Sequence, residues 1–573
     1  MKKLLTGNEA IALGAWEYGV HFATAYPGTP STETLENVAQ YEEINSQWSV
    51  NEKVAFEVAA GSSMAGARTL VAMKHVGLNV AADPLFTMSY IGSNGGLVIL
   101  SADDPGMHSS QNEQDNRRYA KFAKVPLLEP SDSQEAKDMV GKALEISEQF
   151  DTPVILRTTT RISHSKSLVE YGDRQEYKLK EYKKDPAKNV MMPAFARPKH
   201  VLVEERIEKL REYSDNTELN YSEMGNTDIG IITSGITYQY VKEAMPDVSV
   251  LKLGFTYPMP EKKIRDFADK VEKLYIVEEL DPVIEEKVKA MGINCIGKEE
   301  FTMIGEYTPA MIKSVITGEQ IEQREERNVP IRPPVLCPGC PHRGTFYVLK
   351  KLKLNVTGDI GCYTLGALPP LEAMHTTLCM GASIGTALGM EKANPELGKN
   401  TVAVIGDSTF MHSGLTGIVE MLYNKGTGTV MILDNSITAM TGHQQNPTTG
   451  YTLRMDKTHK IDIEAVVKAM GVRRVFSIDP FELKDLEKLL KEETAADELS
   501  VIVVKRPCAL IIKPDPVKTY VDQDVCIGCK ACMKVGCPAI TFKDNKSHIN
   551  DALCVSCGVC QRVCPVGAIK REE

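Results

Sequence analysis

The stretch TVAVIGDSTFMHSGLTGIVEMLYNKGTGTVMILDNSI (401–437) predicts a strand, a turn, a helix and a second strand. Comparable apolar, β-branched runs occur along the chain: GLVILSA (96–102), TPVILRT (152–158), DIGIITSG (228–235), SVLKLGF (249–255), KLYIVEE (273–279) and LSVIVVKRP (499–507). Helix-like segments separate these runs. Such alternation is typical of doubly wound parallel sheets, so we predict an α/β fold.

The positions of these runs predict five segments. Two large doubly wound domains are expected over 1–190 and 326–512, with a smaller α/β domain over 226–325. Residues 191–225, rich in Lys, Glu and Arg, are expected to be a solvated connector. The tail, 513–573, contains most of the cysteines.

The tail repeats a cysteine pattern, because VCIGCKACMKVGCP (525–538) recurs from Cys554 with the same C-x2-C-x2-C spacing and a later Cys-Pro. Bacterial ferredoxins use such a triplet for three corners of a 4Fe-4S cluster and send the cysteine before proline to the other cluster. Zinc is the weaker alternative, since CxxC pairs also suit tetrahedral sites. We predict one cluster on Cys526, Cys529, Cys532 and Cys564, and a second on Cys554, Cys557, Cys560 and Cys537.

Composition limits the class of protein. The chain has 573 residues, 43% hydrophobic and 25% charged, which is ordinary for a soluble multidomain protein. Asn8 and Glu9 come too early for a secretory signal, and no apolar run approaches the roughly 18 residues of a membrane helix. With cluster-type cysteines, these features predict a cytoplasmic protein. A net charge of −10 without a long basic run argues against nucleic-acid binding.

Asp407 and Asn435 lie at the ends of two predicted strands. Ligands of doubly wound sheets bind beyond the carboxyl ends of the strands. A hard divalent cation takes a few oxygen ligands from protein and others from phosphate. We therefore predict Mg²⁺ on Asp407, the Asn435 amide oxygen and the Ile437 carbonyl, with a diphosphate completing the shell. Taken alone, Gly-Asp at a strand end is also typical of a turn, and Asp-Asn is also typical of a cap.

The segment 401–437 resembles the thiamine diphosphate motif Gly-Asp-Gly…Asn, with Ser408 in place of the last glycine. GNEAIALGAWEYGVHFATAYPGTPST (7–32) is similar to the opening of the 2-oxoacid:ferredoxin oxidoreductases, and the resemblance covers essentially the whole chain. It implies a pyrimidine-binding domain over 1–190, a transketolase-C-like domain over 226–325, a diphosphate-binding domain over 326–512 and a two-cluster ferredoxin-like domain over 513–573.

The resemblance also implies roles for single residues. Glu52, in SVNEKVAFEVAAGSSMAGAR (49–68), matches the carboxylate that activates thiamine, although an acidic residue at a helix start is common. Met380, in TLCMGASIGTALGM (377–390), matches the apolar side chain beneath the cofactor. Thr29 matches the residue whose hydroxyl binds the oxoacid carboxylate. Arg118 matches the arginine that pairs with the same carboxylate, and the adjacent Arg117 is the alternative.

A further set of cysteines resembles the ligands of a third 4Fe-4S cluster near the thiamine of pyruvate-type relatives: Cys337, Cys340, Cys362 and Cys508. Whether they converge is open at this point, and Cys295 and Cys379 are expected to be buried free thiols. Three histidines lie near these motifs and are expected to be core or loop residues: His342, His375 and His443. His443 follows the metal loop closely enough to line the substrate pocket.

The domain order and the strings CPGCPHR (337–343) and DNSITAMTGHQ (434–444) resemble the indolepyruvate branch of the family. That resemblance implies conversion of an arylpyruvate, chiefly indolepyruvate, with coenzyme A to an arylacetyl-CoA and CO2, with reduction of an external ferredoxin. It also implies a smaller β subunit carrying a γ-type domain, in an α2β2 assembly. The alternatives are another 2-oxoacid (pyruvate, 2-oxoglutarate or a branched-chain acid) or a non-catalytic electron-transfer subunit.

Overall fold

The computed structural model describes residues 1–320, 329–330 and 332–572, which form two compact units, Met1–Arg327 and Asn328–Glu573. The boundary predicted between 325 and 326 lies outside the described residues. No helix of the described residues is long and apolar enough to cross a bilayer.

The first unit alternates strands and helices. Its strands are β1 (Lys2–Thr6), β2 (Phe22–Ala25), β3 (Asn45–Trp48), β4 (Thr69–Lys74), β5 (Leu97–Asp103), β6 (Leu127–Leu128), β7 (Val154–Thr159), β8 (Lys166–Glu170), β9 (Asn220–Glu223), β10 (Asn226–Ser234), β11 (Val248–Leu253), β12 (Phe255–Tyr257) and β13 (Lys273–Val277). Its helices are α1 (Gly7–Glu17), α2 (Thr32–Val38), α3 (Glu52–Met64), α4 (His75–Val80), α5 (Ala82–Ile91), α6 (Arg117–Ala123), α7 (Ser133–Phe150), α8 (Thr160–His164), α9 (Pro186–Asn189), α10 (Pro193–Asn216), α11 (Ile236–Ala244), α12 (Glu261–Ala268), α13 (Val283–Ala290) and α14 (Pro309–Thr317).

A seven-stranded sheet of order β12-β6-β7-β5-β4-β2-β3 forms the centre of the first unit. All pairings are parallel except that of β12 with β6. Strands such as LVILSAD are buried along their whole length, as expected where elements cover both faces of a parallel sheet. Because β12 (Phe255–Tyr257) belongs to the segment predicted as the smaller α/β domain, that segment completes the sheet of the first domain.

A second, four-stranded sheet has the order β13-β10-β11-β9. Alternate residues of its strands enter two apolar clusters, one with α11 and α14 and the other with α12 and α13. Its antiparallel edge strand β9 comes from the segment predicted as a connector.

The expectation that 191–225 is only a solvated connector is therefore wrong. Its 24-residue helix α10 buries Val203, Ile207 and Leu210. The spacing of three or four residues places these side chains on one face. Most of the charged residues are exposed, but Arg206 is buried and donates to the carbonyls of Ser89 and Asp151. The charge-rich composition of 191–225 did not indicate that this segment contains an amphipathic helix.

The second unit contains nine strands and eight α-helices in its described residues. The strands are β14 (Asn355–Thr357), β15 (Thr401–Gly406), β16 (Thr429–Asp434), β17 (Arg474–Ile478), β18 (Ser500–Lys505), β19 (Thr519–Val521), β20 (Ile540–Lys543), β21 (Lys546–Ile549) and β22 (Ile569–Arg571). The helices are α15 (His342–Leu352), α16 (Ala382–Ala393), α17 (Pro395–Lys399), α18 (Asp407–Thr409), α19 (Leu415–Tyr423), α20 (Ile463–Ala469), α21 (Leu483–Thr494) and α22 (Val559–Val563).

Five parallel strands in the order β14-β15-β16-β18-β17 form the main sheet of this unit. Val402 and Val404 of β15 pack into one apolar cluster with α15 and α21, whereas Ala403 and Ile405 pack into another with α16, α19 and α20. Successive side chains of a strand point to opposite faces, so both faces of the sheet are core. Two antiparallel pairs, β19 with β22 and β20 with β21, form the cysteine-rich tail.

A buried ion network ties the two sheets of the first unit together. Arg117, at the start of α6, donates to Asp115 at 2.5 Å and to Glu278, beyond β13, at 2.6 Å. Burial opposes ionisation of Asp115, but Arg117 and Arg157 outweigh it and lower the pKa of this carboxyl to about 2. The next residue, Arg118, pairs with Asp281 and Glu286 at a half-exposed site.

We predict that Arg117→Met lowers the free energy of unfolding by about 3 kcal/mol or more, because it leaves buried carboxylates without a partner. Arg118→Met should cost less than about 1 kcal/mol, because exposed ion pairs contribute little. Urea unfolding followed by circular dichroism compares the two variants. Equal losses for the neighbouring arginines would contradict the role given to the buried network.

Candidate active site

Glu52 is the first residue of α3 and follows β3. The neighbouring Asn51 caps the helix through a 2.8 Å bond from the Val54 amide. The Glu52 side chain is 5% exposed and lies against Gly77 of α4. A Cβ at position 77 would stand 2.7 Å from the Glu52 Cγ and 2.8 Å from its Oε1. Gly77 therefore makes room for the carboxyl that the resemblance assigns to cofactor activation.

Thr29 lies in the loop that follows β2 and is half-buried. Ser109, in the loop beyond β5, donates its hydroxyl to the Thr29 carbonyl at 3.3 Å. The Lys74 ammonium donates to the Ser109 carbonyl at 3.0 Å, and its methylene chain packs against Gly28. The ends of β2, β4 and β5 therefore lie close to Thr29.

The two arginines considered for the substrate carboxylate have protein partners. Arg118 donates to Asp281 at 2.9 Å and to both carboxylate oxygens of Glu286. Arg117 is bound to Asp115 and Glu278. The guanidinium groups of both residues therefore hold carboxylates of the protein.

Asp407 follows β15 directly and is buried. Its carboxyl accepts hydrogen bonds from the Ser408 amide at 2.7 Å and from the Thr448 hydroxyl at 3.4 Å. Asn435 follows β16, and its side-chain oxygen accepts from the Ile437 amide at 3.3 Å. All three residues predicted for the metal site are buried after neighbouring parallel strands.

The electrostatics of this edge favour a cation. Burial, and then the field of Asp434, raise the pKa of the Asp407 carboxyl to about 8. The nearest ammonium to Asp434 is that of Lys505, at 4.0 Å from its Oδ2. Two buried carboxyls beside an amide oxygen form a hard oxygen donor set, which fits a divalent ion. A cation there would hold Asp407 ionised.

Met380 is held in a loop that packs against Asp359 and Ser413. The Ser413 hydroxyl donates to the Met380 carbonyl at 2.9 Å. The Asp359 carboxyl accepts from the Gly381 amide at 2.8 Å and the Ser383 amide at 3.1 Å, which fixes the start of α16. Asp359 follows β14, so the loop that contains Met380 is anchored at the same sheet edge as Asp407.

Of the four cysteines considered for a third cluster, Cys337 acts electrostatically on the other three, and Cys362 also interacts with Cys340 and with Cys508. Burial raises the pKa of Cys340 to about 12, and the thiolates of Cys362 and Cys337 act in the same direction. Burial raises the pKa of Cys362 to about 11, and Cys508 and Cys337 add to that rise. Of the remaining two cysteines, Cys295 is half-buried and Cys379 is exposed, so the expected burial of Cys379 is wrong.

The tail brings Cys537 to the second triplet. Burial raises the pKa of Cys560 to about 12, and Cys557, Cys537 and Cys554 contribute next. Cys532 of the first triplet acts on Cys560 in the same direction, so these electrostatic effects do not separate the two predicted ligand sets. One apolar cluster around Val521, Ile540 and Ile569 contains Cys526, Cys532 and Cys564 of the other set together with Cys537 and Cys560, and Cys529 is exposed.

Arg343 joins the CPGC loop (337–340) to the tail. Its guanidinium donates to the carbonyls of Leu336, Cys337, Val535 and Gly536. Burial lowers the pKa of Arg343, whereas Cys537 and Cys340 favour its charged form. A buried cation therefore lies between a cysteine of the upstream group and one of the tail.

Of the three histidines near these motifs, two have evident structural contacts and one does not. Burial lowers the pKa of His342 to about 4, and its ring packs edge-on against Tyr363. His375 accepts from the Val356 amide at 2.9 Å. The buried Nε2 of His443 has no hydrogen-bond partner among the described residues, and its backbone φ is 69°.

Sequence reasoning missed Lys74, Gly77, Asp359 and Arg343. For Lys74 and Asp359 a signal existed, since both stand where an apolar strand ends. Gly77 and Arg343 act through contacts with distant residues, which a single sequence does not show.

Three families match the chain. Residues 13–224 match "Pyruvate flavodoxin/ferredoxin oxidoreductase, thiamine diP-bdg", and residues 359–504 match "Thiamine pyrophosphate enzyme, C-terminal TPP binding domain". Residues 518–568 match "4Fe-4S dicluster domain". A solved 2-oxoglutarate:ferredoxin oxidoreductase from Magnetococcus marinus is 19% identical over 55% of this chain and 65% of its own, with a TM-score of 0.46.

The curated relatives match over nearly their full length. The chain is 40% identical to indolepyruvate oxidoreductase subunit IorA of Archaeoglobus fulgidus, over 99% of this chain and 97% of that protein. It is 43% identical to the protein of the same name from Pyrococcus abyssi, over 99% of this chain and 96% of that protein. The chain therefore belongs to the IorA family of indolepyruvate oxidoreductase subunits, which are thiamine diphosphate-dependent 2-oxoacid:ferredoxin oxidoreductases with iron–sulfur clusters.

Proposed function

We propose that the protein converts arylpyruvates, chiefly indolepyruvate, with coenzyme A to arylacetyl-CoA and CO2, and passes the electrons through 4Fe-4S clusters to an external ferredoxin. One contact carries this proposal: the Cys508 amide donates to the Asn435 carbonyl at 2.9 Å. A thiol of the four-cysteine group thereby adjoins a residue of the candidate metal and diphosphate site. A carbanion formed there would have an electron acceptor beside it.

The chain's residues take the following roles. Glu52 switches on the cofactor, Met380 supports it, and Asp407 with Asn435 and the Ile437 carbonyl holds Mg²⁺ on its diphosphate. Thiamine diphosphate, when bound, supplies the nucleophilic carbon and the electron sink that decarboxylation of a 2-oxoacid requires. Thr29 contributes a hydroxyl to the substrate carboxylate, and Arg118 would contribute only if it left Asp281 and Glu286.

Three clusters are proposed. The thiol group Cys337, Cys340, Cys362 and Cys508 holds one cluster, supported by the tight CPGC turn, in which the Cys340 amide donates to the Cys337 carbonyl at 3.2 Å, and by the electrostatic effect of Cys337 on the other three thiols. The tail holds two, on Cys554, Cys557, Cys560 and Cys537 and on Cys526, Cys529, Cys532 and Cys564. Because Arg343 bonds both the CPGC loop and the tail, it fixes the distance between the first cluster and the tail.

The relatives are named as subunits, which supports a partner chain. We propose a smaller β subunit with a γ-type domain, in an α2β2 heterotetramer with this chain. The complex would work in the cytoplasm, with external ferredoxin as the electron acceptor and coenzyme A as the acceptor of the acyl group.

The proposal is tested by anaerobic incubation of the protein, alone and with its β subunit, in the presence of thiamine diphosphate, Mg²⁺ and coenzyme A. We expect bleaching of the cluster absorbance with indolepyruvate, and little with pyruvate or 2-oxoglutarate. Bleaching with another oxoacid would replace the arylpyruvate assignment. Absence of bleaching with every oxoacid, partner included, would contradict catalysis and leave an electron-transfer subunit.

We predict that Gly77→Ala lowers turnover at least about tenfold, because the added methyl group would stand 2.7 Å from the Glu52 Cγ and must move the carboxyl from its present position. Gly61→Ala is the matched control, since its Cβ would meet nothing within 4 Å in the same unit. Steady-state indolepyruvate oxidation and thiamine diphosphate affinity are compared. Wild-type turnover in Gly77→Ala would remove Glu52 from its assigned role.

We predict that Asp407→Asn weakens Mg²⁺-dependent binding of thiamine diphosphate by at least about tenfold, because the amide removes the anionic ligand. Isothermal titration calorimetry on the cofactor-depleted protein measures this loss. Asp497→Asn, an exposed loop position, controls for the change of one charge. Unchanged affinity in Asp407→Asn would defeat the metal-site assignment.

A further inference from the structure

We propose that Lys74 is the residue that binds the carboxylate of the 2-oxoacid and selects monocarboxylic substrates. The inference rests on the proposed function and assigns its substrate specificity to one side chain. Lys74 is the last residue of β4, a strand whose other residues are all buried. Its side chain is half-buried at the edge of the sheet where the neighbouring strands β2 and β5 also end.

Contacts place Lys74 beside Thr29. The methylene carbons of Lys74 lie 3.2 Å from the point where a Cβ on Gly28 would stand, so the lysine fits because position 28 has no side chain. The Lys74 ammonium donates to the Ser109 carbonyl at 3.0 Å, and the Ser109 hydroxyl donates to the Thr29 carbonyl. The Lys74 ammonium and Thr29 are thus linked through Ser109 at one edge of the sheet.

The ammonium of Lys74 has donor capacity left over. An ammonium has three N–H donors, and the hydrogen bond to Ser109 uses one of them. Within the described residues Lys74 has no ion pair closer than 4.0 Å, whereas Arg118 is held by two carboxylates. Burial lowers the pKa of Lys74 to about 8, against the fields of Asp104 and Glu52. A substrate carboxylate would restore the charged form of Lys74.

The same surroundings define the substrate class. The charged groups that face Lys74 are the carboxyl of Asp104, beyond β5, and that of Glu52, at the start of α3. A second carboxylate on the substrate would meet these acids instead of a cation and would be repelled. Lys74 therefore favours 2-oxo monocarboxylic acids over 2-oxoglutarate, and over aldehydes that lack the carboxylate altogether.

The test uses Lys74→Met and Lys74→Arg in the holoenzyme with its β subunit. Calorimetry with indole-3-propionate, which keeps the carboxylate and lacks the ketone, gives a dissociation constant without turnover. Lys74→Met should raise this constant about 10- to 100-fold, the effect of losing one charge-assisted hydrogen bond. Lys74→Arg should retain most of the affinity. Lys142→Met, at a half-exposed position of α7, is the control.

Turnover supplies a second readout. The KM for indolepyruvate should rise by a similar factor in Lys74→Met, whereas oxidation of indole-3-acetaldehyde should change by less than about threefold, since the aldehyde offers no carboxylate. In the wild type the KM for indolepyruvate should increase as the pH rises through about 8, because Lys74 loses its proton. Lys74→Arg should remove that increase.

Two outcomes would overturn the assignment. One is an unchanged dissociation constant for indole-3-propionate in Lys74→Met. The other is an equal loss of activity with the oxoacid and the aldehyde, which would show a structural role. If the wild-type protein oxidised no oxoacid at all, the proposed function would fail, and calorimetry would still decide whether Lys74 binds carboxylates.

Discussion

The parallel strands of the main sheet in each unit end at one edge, and most of the polar groups assigned to cofactor or substrate in that unit stand at such an end. Glu52 follows β3, Lys74 closes β4, Asp407 follows β15 and Asn435 follows β16. The strands must be apolar because both of their faces are buried. Buried charged side chains within the strands, such as Arg157, are paired with carboxylates, whereas the polar groups assigned to the sites stand where a strand stops, which is where ligands of parallel sheets bind.

Charge compensation is the second requirement of these sites. Asp407 is buried beside Asp434, and the cysteine groups bury several thiols together. Such groups are stable near neutral pH either as protonated acids or as ligands of cations. In the proposed function, Mg²⁺ and the iron of the clusters would supply this positive charge, and binding of these cofactors would then be coupled to folding of the second unit.

The fold and the family could be predicted because their signals are local. β-branched runs marked the strands, and the cysteine spacing marked the two-cluster tail, which the family matches confirm. Contacts between distant residues could not be predicted in this way. The resemblance predicted that Arg118 pairs with the substrate carboxylate, yet the structure pairs it with Asp281 and Glu286, which lie far along the chain. Helix α10 was missed because its charged residues outnumber the apolar residues of its single buried face.

The second unit also explains how two-electron chemistry can be joined to one-electron carriers. The hydrogen bond from Cys508 to Asn435 places a thiol at the edge that holds the candidate metal site, and Arg343 ties the CPGC loop to the tail. Both links end on backbone carbonyls, the first from a backbone amide and the second from the Arg343 side chain. Such links would keep the distance between the proposed redox centres constant. The side chains nearby are then free to set substrate preference, which is the task that Lys74 takes in the first unit.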